Sequence, residues 1–196
     1  MSEVVVADDG FSLLETLDNS QNGETIGSWL TETDSATALD RALRVTDLWK
    51  IYREVRGTLI QPRAGQIDRG VRIDRVLVPN RKLIDLGWIR GIIGIEIKKS
   101  GIKIGPPIAQ AIDYGRSIWT LPNGFNVWLD MVFVWPMGPQ HGNIASILTQ
   151  NCIGSAYPSD WTPLHLKAGE VNILRVHNDH TVDLGTMVAG KRVGSR

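Results

Sequence analysis

Between Gly91 and Trp119 the chain reads GIIGIEIKKSGIKIGPPIAQAIDYGRSIW, and one isoleucine-rich run in it carries a glutamate and a lysine two positions apart. Successive side chains of a strand point to opposite faces. Glu96 and Lys98 therefore project together, while Ile95 and Ile97 project into the opposite layer. Charge on one face of so apolar a strand needs a compensating partner or a chemical use, since an uncompensated buried charge is costly. The strand is followed by a Gly105-Pro106-Pro107 turn and a helical stretch with Gln110 and Tyr114 one turn apart on one face.

A chain of 196 residues is long enough to bury a core without disulfides or a structural metal, and one α/β domain is the simplest expectation. The boundaries expected within 1–196 are an acidic N-terminal arm over 1–33, a core over 34–135 and a C-terminal elaboration over 136–196. The single cysteine, Cys152, has no intrachain disulfide partner, which favours a reducing, cytoplasmic setting. The start Met1-Ser2-Glu3 lacks a basic region followed by a long apolar core, so neither a signal peptide nor a membrane anchor is expected. The longest apolar runs are strand-sized, and no membrane partner is expected.

A formal net charge of zero conceals an uneven distribution. Residues 1–40 hold nine acidic side chains and no Lys or Arg, whereas residues 41–116 hold sixteen Lys or Arg against seven Asp or Glu. A basic middle segment suits a phosphate backbone, because neutralising phosphates releases counterions. The same charges also serve as a solvated surface paired with the acidic segment. A further reading is that the acidic segment shields the candidate site until DNA displaces it.

Periodicity sets the expected elements. Residues 1–30 read as an irregular arm or short strand. From Asp34 the recurrence of Ala36, Leu39, Leu43, Leu48, Tyr52 and Val55 predicts a helix ending at Gly57, with Thr31, Thr33 and Asp34 available as caps. A turn over Gly65–Gly70 leads to a strand over Val71–Val78, stopped by Pro79-Asn80. Residues 80–87 read as a loop, Trp88–Lys98 as a strand, Ile108–Trp119 as a helix and Asn126–Trp135 as a strand. A short helix over Ile144–Ile153 follows, then late strands over Leu164–Leu166, Val171–Val176 and Thr181–Leu184 around an Asn178-Asp179 turn.

The ordered set Glu54, Asp74, Glu96, Lys98, Gln110 and Tyr114 resembles the PD-(D/E)XK nuclease superfamily, in particular its RecB-like branch, which includes phage exonucleases and CRISPR adaptation nucleases. The resemblance spans roughly Trp49–Trp119 at the level of motifs. In that family a helix supplies a glutamate, matched by Glu54. The next strand supplies an aspartate, matched by Asp74 in RIDRVLVP, with Ile73 where proline is expected. The following strand supplies E-x-K, matched by Glu96 and Lys98, and the next helix Q-x-x-x-Y, matched by Gln110 and Tyr114. The resemblance implies a restriction-endonuclease-like core, a central mixed β-sheet flanked by helices. It also implies Mg²⁺ or Mn²⁺ held by Asp74, Glu96 and the backbone carbonyl of Ile97, with Glu54 as a further candidate.

Carboxylate-bound Mg²⁺ or Mn²⁺ can activate water and stabilise charge on phosphate and leaving oxygen. Lys98 is suited to orienting or deprotonating the attacking water and to offsetting negative charge. Gln110 and Tyr114 would hold Lys98 or contact a phosphate, Arg116 reach the strand backbone, and Lys99 and Lys103 meet DNA phosphates or water. Each has a plainer explanation. E-x-K arises by chance in exposed strands, Asp74 lies between Arg72 and Arg75, Glu54 suits a solvated helix end, and Gln110 with Tyr114 suits a polar helix edge. His177-Asn178-Asp179-His180 has metal-ligand residue types but reads as a turn, and His141 and His165 as structural. Of seven tryptophans, most read as core, with Trp88 and Trp119 flanking the motif. The basic tail Lys191–Arg196 is a further candidate for contact with nucleic acid.

The sequence thus points to an α/β metal-dependent DNA nuclease. An exonuclease and a structure-specific endonuclease both stay open, in a recombination or repair setting that includes phage and its host cytoplasm, as a homo-oligomer or alone. The alternative is a nuclease-fold adaptor that binds nucleic acid or protein without cutting.

Overall fold

The computed structural model describes residues 29–60 and 69–185. Its elements are α1 (Glu32–Arg44), β1 (Trp49–Leu59), β2 (Arg69–Pro79), α2 (Arg81–Asp85), β3 (Ile93–Ile97), α3 (Gly105–Gly115), β4 (Ser117–Thr120), β5 (Asn126–Val127), β6 (Met131–Trp135), α4 (Gly142–Gln150), β7 (Ile153–Tyr157), β8 (Leu164–Ala168), β9 (Val171–Val176) and β10 (Val182–Leu184). The strands form one sheet in the order β10-β9-β8-β7-β6-β3-β2-β1-β4-β5. Only β3–β6 and β6–β7 pair in parallel, so the sheet is mixed with a parallel centre. Every residue of β3, β6 and β7 is buried, as expected for strands covered on both faces. Among the described residues no helix is long and apolar enough to cross a membrane.

Two apolar layers sandwich the sheet. Leu39 and Leu43 of α1 and Leu83 of α2 join Ile93, Ile95, Ile97, Phe133 and Trp135 on one face. Ile108, Ala111, Ile112 and Tyr114 of α3 join Ile73, Val76, Val132 and Val134 on the other. Because β3 turns its isoleucines toward α1, strand alternation turns Glu96 toward α3.

Several boundaries differ from the sequence-based expectation. The helix expected through Gly57 stops at Arg44, and residues 49–59 are strand β1. Leu48, Tyr52 and Val55 fit a helical period by coincidence. The β-branched and aromatic content of WKIYREVRGTL favours the strand, and pairing with β2 along its length fixes it. Thr31 is the cap, its hydroxyl accepting from the Asp34 N–H at 3.1 Å. Residues 81–85 form a short helix rather than a loop, capped by Asn80 Oδ1 accepting from the Leu83 N–H at 3.0 Å. The helix expected over 108–119 runs over 105–115, and β4 follows it. The strand expected over 126–135 is split into β5 and β6, and β7 takes up residues 153–157. Strands β8, β9 and β10 lie where expected, with a turn over His177–His180. The expected arm over 1–30 lies outside the described residues apart from Trp29 and Leu30, and the Gly65–Gly70 turn and the basic tail fall largely or wholly outside them.

Candidate active site

The β2–β3 ladder pairs Leu77 with Ile93, Val76 with Gly94 and Arg75 with Ile95. One step further the same register sets Asp74 opposite Glu96. The β1–β2 ladder pairs Arg53 with Arg75 and Val55 with Ile73, so the position between them sets Glu54 opposite Asp74. Three acidic residues thus occupy one row across β1, β2 and β3. Regular alternation breaks at this row. Ile51 packs toward α1, yet both Tyr52 and Val55 pack toward α3, and β2 likewise sends Ile73 and Val76 toward α3. Glu54 absorbs the change of face with a left-handed φ of 50°. Gly94 makes room for it, since a Cβ there would come within 2.5 Å of Ile73 Cδ1.

Asp74 and Glu96 meet in hydrogen-bond contact. The Ile97 N–H donates to Asp74 Oδ2 at 2.6 Å. The N–H and C=O of one extended residue leave toward the same neighbouring strand, so the Ile97 carbonyl shares this edge. Lys98, held one residue past the strand by its N–H to Trp135 O at 2.7 Å, places Nζ 2.6 Å from Glu96 Oε1. Tyr114 OH donates to the Arg72 carbonyl at 2.7 Å, accepts from Gln110 Nε2 at 3.0 Å and lies close to Glu96. Asp113 fixes the end of α3 through Arg69 at 2.8 Å.

Burial dominates the electrostatics. Glu96 is 2% exposed, and burial, then the Asp74 charge, push its carboxyl up to about 7 against the pull of Lys98. Asp74 is raised by burial as well, with the Ile97 N–H and Lys98 opposing. Burial works to lower Lys98, but the Glu96 contact, backed by Glu32 and Asp74, leaves it raised. Lys98 is therefore a standing cation at neutral pH, suited to offsetting charge rather than to taking a proton. Burial and the Glu96 charge raise the Tyr114 hydroxyl, which stays a neutral phenol.

The sequence-based set divides. Asp74, Glu96, Lys98, Gln110 and Tyr114 come together, with Gln110 and Tyr114 serving Glu96 and the β2 backbone rather than Lys98. Glu54 lies on a strand, not at a helix end, and its carboxylate pairs with Arg72 at 3.0 Å. The helix glutamate at the site is Glu32, on the first turn of α1, with Oε1 3.8 Å from Lys98 Nζ. It was hidden because the periodicity drew attention to the wrong end of the helix. Lys99 and Lys103 are exposed, and Arg116 meets the β-sheet through its carbonyl, which accepts from Ile60 N at 3.3 Å. Trp88 and Trp119 are buried and hydrogen-bonded to the Gly91 and Tyr114 carbonyls, so both are core.

Among the described residues no three His, Cys, Asp or Glu side chains are gathered tightly enough to cage a metal alone. Mg²⁺ does not demand such a cage: it keeps several waters and binds through one or two carboxylates. Asp74, Glu96 and the Ile97 carbonyl suit that pattern. No protein-family model, curated protein or solved structure matches this chain.

Proposed function

We propose that the chain is a metal-dependent deoxyribonuclease of the PD-(D/E)XK type. The observation that carries this reading is the register that faces Asp74 with Glu96 while Lys98 closes on Glu96 at 2.6 Å. The element order supports a restriction-endonuclease-like core: α1, three antiparallel strands, α3, then β6 parallel to β3. Asp74, Glu96 and the Ile97 carbonyl would hold Mg²⁺ or Mn²⁺, with Glu32 nearby. Such an ion, when bound, would supply polarisation of a phosphoryl oxygen and a lowered water pKa. Lys98 orients the attacking water and offsets charge gathering on the phosphate. Tyr114, steadied by Gln110 and bonded to the Arg72 carbonyl, stands beside the Glu96 carboxyl, and Arg75 fixes the Asp74 backbone by donating from Nη1 to its carbonyl at 2.7 Å.

The test is cleavage of end-labelled single-stranded, duplex and four-way-junction DNA with Mg²⁺ or Mn²⁺. Glu96→Ala and Lys98→Ala should each lower the rate by roughly 10²–10⁴-fold while retaining the wild-type circular dichroism. Mononucleotide products assign an exonuclease and discrete fragments an endonuclease. DNA binding without cutting in either metal would replace this reading with that of a non-catalytic adaptor.

A further inference from the structure

On the α1 side of the sheet, between α1 and the turn after β9, lies a cavity of about 330 Å³. This is at the small end of ligand pockets, so it takes one ring system rather than an extended segment. Trp29 and Trp135 line it with ring centroids 5.3 Å apart and planes 34° apart. Trp135 is 1% exposed and its Nε1 donates to the Ser35 carbonyl at 3.0 Å, so it backs the cavity while half-buried Trp29 presents the accessible ring. Pro158 adds a further apolar wall, and Arg41, Asn178 and His180 stand exposed around it. Arg41 makes no ion pair among the described residues. Asn178 Nδ2 donates to the Asp160 carbonyl at 3.3 Å, leaving the amide oxygen as an acceptor.

The cavity lies across the sheet from the acidic row and adjoins the Lys98 end of β3 through backbone contacts. Trp135 holds the Lys98 N–H, and Trp29 exchanges two bonds with Ser100, its N–H to Ser100 Oγ and its carbonyl from the Ser100 N–H, each 3.0 Å. Helix α1 runs from Glu32 at the site to Arg41 at the cavity, about 13 Å along its axis. Resting on the nuclease reading, we infer that this cavity is a nucleobase subsite for an unpaired nucleotide flanking the scissile phosphate. Trp29, backed by Trp135, supplies a stacking surface, which accepts any base because every base has a π-face. Asn178 meets a base edge, and Arg41 and His180 meet the phosphates on either side. A paired base cannot enter without being unstacked, so the substrate class is single-stranded, frayed or flapped DNA rather than continuous duplex.

The test uses the full chain with Ca²⁺ in place of the catalytic metal, and fluorescence anisotropy of a labelled oligothymidylate and of a blunt duplex. Trp29→Ala should weaken the single strand about tenfold. Trp29→Phe should restore most of it. Arg41→Gln, an exposed change that spares the fold, should weaken it about fivefold and lower the salt slope by about one. Neither should alter duplex binding. A strand carrying 5-iododeoxyuridine should photocrosslink to Trp29. Unchanged single-strand affinity in Arg41→Gln and Trp29→Ala, or adducts confined to Phe125 and Trp128 on the far edge of the sheet, overturns the subsite and leaves the nuclease reading standing. A wild-type protein that binds no DNA at all overturns the nuclease reading itself.

Discussion

Glu96 shares its strand with isoleucine and glycine alone, and despite a lysine at 2.6 Å burial pushes its carboxyl up to about 7, so that it titrates around neutral pH. Asp74 sits against it, so without metal the facing carboxyls hold a proton between them. On the proposed reading, a divalent cation would compete with that proton for one position. Metal affinity should then rise about tenfold per pH unit below 7 and level off above it. The thermal shift given by Mg²⁺ is expected to grow between pH 6 and pH 7.5 and to vanish in Glu96→Gln; a pH-independent shift would mean that the metal binds elsewhere. Glu32 differs in being 61% exposed. Its replacement by Gln should raise the Mg²⁺ concentration for half-maximal cutting, while urea denaturation stays within about 0.5 kcal/mol of wild type.

One buried contact fixes α1 against the strands that carry the acids. Asp40 of α1 takes Arg75 Nε at 2.9 Å and Arg53 Nη2 at 2.5 Å, and the Arg75 side chain is only 8% exposed. Arg53 and Arg75 face each other across the strands, and this carboxylate offsets their repulsion. Asp40→Ala strands a buried guanidinium and should cost about 3–5 kcal/mol, whereas the pair Asp40→Leu with Arg75→Met should recover most of the loss. Denaturant midpoints of the three proteins decide it, and an equally unstable double variant would mean that packing, not charge, is at stake. This contact was not legible in the sequence, because it joins residues 35 apart. The acidic row was half legible. Two-residue alternation correctly put Glu96 on a face opposite Ile95 and Ile97, and one-turn spacing correctly joined Gln110 to Tyr114. Glu54 was misplaced and Glu32 passed over for one reason: apolar spacing in α1 ran on into β1 without a Gly or Pro between them, so a single period covered two elements.

Across the whole sheet two ionisable groups are displaced in opposite senses. His165, stacked on Tyr157 with centroids 4.8 Å apart, is driven down to about 4 by burial, then by Arg175, His177 and Lys167. Its folded pKa lies below the unfolded value of 6.5, so the fold loses stability as pH falls from 6.5 to 4. Glu96 lies above its unfolded value of 4.5, so the fold loses stability as pH rises from 4.5 to 7. Between pH 4.5 and 6.5 the two slopes, each up to about 1.4 kcal/mol per unit, oppose and largely offset one another. Three strand spacings, about 14 Å, separate the two positions, so their effects should add. Relative to wild type, Glu96→Gln should gain stability as pH rises through that window, and His165→Phe, which keeps the ring stack, should gain it as pH falls. In the double variant the two gains should sum to a nearly pH-independent difference. Urea unfolding in chelator at pH 4.5, 5.5 and 6.5 reads all four proteins. A Glu96→Gln difference that does not change with pH would show that this carboxylate ionises freely in the fold, and would remove the proton with which a metal is held to compete.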